Sequence, residues 1–234
     1  MARGTDEKPK QALDDPRVVH RQEEILIEAA RLFAQRGYSE TDTQLLAETI
    51  GVGKGTVYRY FPSKRALFLA AADRVMRMLR ERVDSTVEGI TDPLDRIARG
   101  ITVFLSFFAE QPEFVELLIQ ERALFKDRTR PTFIEHRLMN IERWQNVYRD
   151  LIAQGRVRSM PVEGITDVVG NLLYGTIFMN HFSGQRKSAD TQARDITEIV
   201  FRGILTPAEL ARRAEKARTP QADGASSEPG AADD

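Results

Sequence analysis

The sequence predicts an all-α fold, a small N-terminal helical unit followed by a larger helical domain. Three observations carry this. Apolar residues recur at helical spacing from about residue 17 to residue 217. Capping residues, prolines and glycines fall at the boundaries between those segments. No segment sustains the period-2 alternation of a half-buried strand.

The first helix spans about 17–36, with Ile25, Ala29, Leu32 and Phe33 on one face, and Gly37 closes it. Two short helices follow. Asp42 caps the first, whose inward residues are Leu45, Leu46 and Ile50, and the second runs from Lys54 to about Tyr60. Asp92-Pro93 supplies an N-cap and a first-turn proline for a helix with Leu94, Ile97, Ile101, Phe104, Leu105 and Phe108 on its face. Pro112 opens a short apolar helix through Phe125, and Pro131 opens a long one that Gly155 closes. A further helix runs from about Val162 to Phe182 and stops at Gly184, and another spans roughly Ser188 to Leu205. Thr206 and Glu209 have capping-box spacing for a last charged helix to about Lys216. The ends, 1–16 and 218–234, contain one large apolar side chain beyond Met1, Leu13, and predict disordered tails, the second of them acidic.

Composition narrows the function. The chain carries 34 Lys+Arg against 35 Asp+Glu, a net charge of −1, which argues against a protein that coats polyanions. The absence of cysteine excludes disulfides, thiolate metal sites and a cysteine nucleophile. His136 and His181 lie far apart with no cysteine partners, so no metal or other cofactor is expected. No G-x-S-x-G, H-E-x-x-H or P-loop spacing occurs, and the expectation is a protein that is not an enzyme. No apolar run approaches the roughly 18 residues of a membrane span. The N-terminus has no apolar signal region, so the expected setting is the cytoplasm, with no membrane partner.

Residues 42–61, DTQLLAETIGVGKGTVYRYF, carry the chemistry. Two short helices joined by a glycine turn make a helix-turn-helix. Ala47 suits the close approach of the helices, Gly51 the positive φ of the turn, and Val57 the apolar contact back to the first helix. Between Gly51 and Arg65 stand four bases, Lys54, Arg59, Lys64 and Arg65, and no acid. Thr56, Tyr58 and Tyr60 are interleaved with them, and hydroxyls of this kind bond phosphate oxygens or base edges. The backbone amides of Gly53-Lys54-Gly55 favour phosphate.

The stretch from Gly37 to Leu67 resembles the DNA-binding region of the TetR family of bacterial transcriptional regulators. GVGKGTVYRYFPSKRALF is similar to that family's recognition helix and the start of its linker helix, and LFAQRGYSETDTQLLAE to the segment before it. Gly53 departs from the family's usual serine N-cap, a change that costs only a few tenths of a kcal/mol. The resemblance implies a DNA-binding unit at 17–63 and an effector-binding and dimerisation domain at 64–217. It implies that Thr43 contacts phosphate and that Lys54 and Gly55 meet base or phosphate. It places Thr56 and Tyr58 toward the major groove, gives Arg59 guanine or phosphate, and has Tyr60 and Lys64 hold the backbone. Phe61, Leu67 and Phe68 read as core.

A helix-turn-helix reads few base pairs, and pairing two copies on a palindromic operator supplies the rest. The segments at about 162–182 and 188–205 are the expected homodimer interface. The first is apolar on nearly all sides, and Gly170 and Gly175 would admit a close helix. Residues 93–182 carry many aromatic side chains, which suits a pocket for a small, largely apolar effector. Phe104, Phe108, Trp144, Tyr148, Asn171, Tyr174 and Phe178 are its candidate lining, with His181, Gln145 and Arg143 as further polar candidates. The expected activity is that of a repressor released from DNA by the effector.

Overall fold

The computed structural model describes residues 16–184 and 187–218. The expected tails, 1–16 and 218–234, lie outside these residues except for Pro16 and Arg218. Among the described residues there are ten helices: α1 (Pro16–Glu40), α2 (Thr43–Thr49), α3 (Lys54–Tyr60), α4 (Lys64–Val87) and α5 (Pro93–Glu110) in the first half. The second half holds α6 (Glu113–Leu124), α7 (Thr132–Ala153), α8 (Val162–Ser183), α9 (Ala189–Ile204) and α10 (Pro207–Arg218). Among the same residues none is long and apolar enough to cross a membrane.

The punctuation acts largely as its chemistry dictates. Gly37 interrupts α1 with φ +83°, and the chain resumes a helical turn to Glu40. Asp42 caps α2 by accepting from the amides of Gln44 and Leu45 at 2.7 and 2.8 Å. Asp92 caps α5 in the same way, with Pro93 in the first turn. Pro131 gives α7 no side-chain cap; the buried Glu121 of α6 replaces one, accepting from the Thr132 amide and hydroxyl at 2.9 Å each. The capping box of α10 is only half formed. Thr206 accepts from the Glu209 amide at 3.3 Å, but the Glu209 carboxylate bonds Arg156 and Arg212 instead of reaching back. A short pairing of Val157 with Leu205 ties the turn after α7 to the end of α9.

One continuous core runs from Ile25 in α1 to Leu205. The linker helix implied by the family resemblance is α4, and it belongs to both ends. Near its start Phe68 meets Phe33 of α1, Tyr38 and Phe125, with ring centroids 5.0–5.5 Å apart. Near its end Asp84 pairs with Arg143 of α7 at 2.5 Å. The aromatic side chains therefore divide. Phe125 serves the junction between α1 and α4, and Phe107, Phe108 and Phe114 pack together in the core.

Candidate DNA-binding and effector sites

The turn between α2 and α3 forms because Gly51 takes φ +67°. Its amide bonds the Glu48 carbonyl at 3.2 Å, and the Val52 amide bonds that of Ala47 at 2.8 Å. This paired arrangement is the Schellman closure of a helix end. Ala47 and Val57 are fully buried beneath it, so the two short helices meet through small and branched side chains.

That contact turns the polar side of α3 outward. Lys54, Gly55, Tyr58 and Arg59 are exposed, and Thr56 and Tyr60 are half-buried. Arg59 donates to Tyr60 Oη at 2.9 Å and lies over its ring. Thr43 is almost wholly buried, and its hydroxyl donates to Tyr58 Oη at 3.0 Å. In this arrangement Thr43 positions Tyr58. Lys64, at the first turn of α4, donates to the Ser39 carbonyl at 3.0 Å and sits over the Tyr38 ring. Arg65 is paired with Asp127 and stacked on Phe125, so it belongs to the junction rather than to the basic face. Arg21 of α1 donates to the Ile50 carbonyl at 3.0 Å and pairs with Glu24, a structural use of a base that composition alone leaves open.

The larger half holds a cavity of about 180 Å³ between α4, α5, α7 and α8. Of the candidate lining residues, Phe104, Trp144, Tyr148 and Tyr174 border it. Phe108, Asn171 and Phe178 do not. Phe108 is turned into the core against Phe104 and Phe107, and Phe178 packs on Phe133. Asn171 is on the outer side of α8, where it accepts from Arg137 at 2.9 Å. Of the further polar candidates, Arg143 lines the cavity, while His181 pairs with Glu116 and Gln145 accepts from Arg149.

Two buried polar groups in the wall stand out. Tyr148 is 2% exposed and its hydroxyl has no hydrogen-bond partner. Burial pushes its phenol well above the usual range, so it stays a neutral donor. His136 is 4% exposed; its Nε2 is 2.8 Å from Asp73 Oδ1 and its Nδ1 has no partner. From sequence His136 was weighed only as a metal ligand, yet a cavity signal existed: His136, Asn140, Trp144 and Tyr148 recur every four residues on α7 and all four line the cavity.

The outer face of α8 carries Val168, Leu172, Met179 and Phe182, respectively 57%, 37%, 61% and 68% exposed. Ile199 of α9 is 69% exposed. The two glycines of α8 differ in use. A methyl group on Gly170 would stand 2.8 Å from the Arg137 guanidinium, so this glycine makes room for α7 of its own chain. Gly175 has open space beside it.

Residues 25–71 match the family described as bacterial regulatory proteins, tetR family. This N-terminal unit is a TetR-type DNA-binding region. The chain is 34% identical over 93 residues to the HTH-type transcriptional regulator EthR of Mycolicibacterium smegmatis, a match covering 39% of this chain and 43% of that one. It is 27% identical over 149 residues to the nucleoid occlusion factor SlmA of Vibrio campbellii, covering 62% of this chain and 74% of that protein. Among solved structures, the TetR-family regulator PfmR of Thermus thermophilus aligns with a TM-score of 0.61 at 25% identity, over 76% of this chain and 97% of that one. The likeness in sequence to TetR-family regulators thus rests mainly on the N-terminal unit, while the solved structure extends the likeness in fold through the larger half.

Proposed function

We propose that this chain is a TetR-family, DNA-binding transcriptional repressor that holds a palindromic operator as a homodimer and leaves it when a small, largely apolar effector fills the cavity. The observation that carries the reading is the outward polar face of α3, held on a buried Ala47–Val57 contact. In this reading residues 17–63 form the DNA-binding unit and 64–217 the effector and dimerisation domain.

Lys54, Gly55, Thr56, Tyr58 and Arg59 enter or border the major groove, while Tyr60 and Lys64 hold phosphate. Thr43 acts at second hand, through Tyr58. The apolar stripe on α8 and Ile199 of α9 form the dimer contact. Helix α4 couples the two sites. Its Met76, Leu79 and Val83 line the cavity, while Arg77 pairs with both Asp73 and Glu23 of α1. An effector that prefers one placement of α4 shifts the population toward it, and with it the spacing of the two recognition helices.

Selection of bound sequences from a random DNA pool tests this directly. The expected result is an inverted repeat with half-sites about one helical turn, or a multiple of it, apart. Recovery of no enriched sequence sinks the reading. The double substitution Tyr60→Ala with Lys64→Ala is expected to weaken operator binding at least tenfold in an electrophoretic shift. Unchanged binding would remove both residues from the site.

A further inference from the structure

The cavity wall is mostly apolar but holds a buried polar atom without a partner. Its volume, about 180 Å³, is a little larger than the roughly 150 Å³ apolar cavity that holds benzene. A molecule of one substituted ring fits it. Most of the wall is hydrocarbon: Leu79, Val83, Ile97, Ile101, Phe104 and Leu173 are among the lining side chains. Against these stands His136, with Nδ1 buried and unpartnered. Asp73 faces the other ring nitrogen at 2.8 Å and, being a carboxylate, accepts from it; in the neutral tautomer that this contact selects, Nδ1 is an acceptor.

His136 also has a second connection. Asp73 Oδ2 is 3.0 Å from Arg77 Nε, and Arg77 Nη2 is 3.5 Å from Glu23 of α1. A polar chain therefore leads from the cavity wall, across α4, to the first helix of the DNA-binding unit.

We propose that the effector is a single-ring, mostly apolar molecule bearing a hydroxyl group, which donates its hydrogen to His136 Nδ1 and is read there through Asp73, Arg77 and Glu23. This rests on the reading of the cavity as the effector site. It separates occupancy from response: a ring without the hydroxyl hydrogen enters the same space and leaves the polar chain unengaged. Tyr148, three helical turns along α7 from His136, shapes the far end of the same wall.

The protein carries its own reporter, because its one tryptophan, Trp144, lines the cavity. Two probes of nearly equal size separate the outcomes: p-cresol, which carries a hydroxyl hydrogen, and 4-methylanisole, in which a methyl group replaces it. Binding is read by Trp144 fluorescence, and DNA release by anisotropy of a labelled operator chosen from the random pool. The expected result is that p-cresol binds at least tenfold more tightly and releases DNA, and that 4-methylanisole does not release it. In His136→Phe the two probes bind alike and neither releases DNA. In Asp73→Asn, which leaves the buried histidine in place, p-cresol still quenches Trp144 and its effect on DNA affinity falls at least fivefold. Equal binding and release by both probes in the unaltered protein would overturn the proposal and leave the effector reading standing. Absence of any Trp144 response to either probe would also overturn it. Failure of the probe-free protein to bind any DNA would instead overturn the repressor reading.

Discussion

Gly51 shows how much one residue decides. Its φ of +67° sets the Schellman closure that lets α2 and α3 face each other, and nothing lies within 4 Å of where a Cβ would stand. The cost of Gly51→Ala is therefore backbone strain alone, roughly 1–2 kcal/mol. A lower melting temperature and weaker operator binding are expected, and no change in Tm would show that the turn tolerates another geometry. Tyr148 predicts the opposite sign. Its hydroxyl is buried without a partner, a condition that costs about 1–3 kcal/mol. Tyr148→Phe is expected to raise the melting temperature, whereas most changes to a packed aromatic lower it; a drop in Tm would mean that the hydroxyl is satisfied in solution. At this scale the sequence was informative about residue type and less so about partners. The basic run 54–65 was visible, but that Arg65 turns to Asp127 and Lys64 to the Ser39 carbonyl depended on a loop and a helix end distant in sequence.

Helix boundaries were the most legible feature, because glycine, proline and aspartate act locally. Gly155 and Gly184 take positive φ just past the ends of α7 and α8, as their positions suggested. Which side of a helix faces what was less legible. Helix α8 is apolar all round, and only its packing shows that Val168, Leu172, Met179 and Phe182 are on the outer face. With Gly175 between them they recur at alternate spacings of four and three, the seam of a coiled-coil-like contact. Leu172→Glu combined with Met179→Glu places two carboxylates in that seam. The pair is expected to convert a dimer to a monomer in sedimentation velocity, with a large loss of operator affinity. A variant that remains dimeric would move the interface elsewhere. The aromatic load of α5, α7 and α8 was equally visible, but aromatic residues at helical spacing serve core and cavity alike. Phe108 went to the core and Trp144 to the cavity for reasons that lie on neighbouring helices.

At the scale of the whole molecule, a charged cluster joins segments that the sequence keeps apart. Arg156, from the turn after α7, lies 3.0 Å from Asp92 at the head of α5 and 2.9 Å from Glu209 in α10. Arg212 bridges the same two carboxylates. Burial alone would raise both acids. At Asp92 it is outweighed by the Leu94 amide and Arg156, and at Glu209 by Arg212 and Arg156, leaving each at about 2. Both are depressed below their unfolded values. Their contribution is therefore complete above roughly pH 4.5 and is lost as pH falls toward 2. It amounts to on the order of 2 kcal/mol per group, and the two are not additive because they share arginines. Arg156→Gln is expected to lower Tm at neutral pH and to flatten the fall in stability between about pH 4.5 and 2.5. An unaltered acid slope in thermal melts would place the dependence elsewhere. Charge is divided on the same scale: a chain of net charge −1 places four bases and no acid over residues 51–65 and leaves the rest net acidic. In the proposed reading this confines favourable contact with DNA to the recognition face.

The sequence by itself determined the helices, the turn between α2 and α3, and the TetR likeness of the N-terminal unit. Each depends on residues within a few positions of one another, where dihedral preference, capping and apolar period act directly. Tertiary structure alone decided which aromatic side chains surround the cavity, that Gly170 yields to Arg137, that Glu121 caps a helix eleven residues on, and that His136 stands between the cavity and Asp73. Those outcomes depend on which helix faces which. Packing sets that choice through contacts between residues eleven to sixty-three positions apart, and a recurrence such as the one along α7 marks a face without saying which helix it meets.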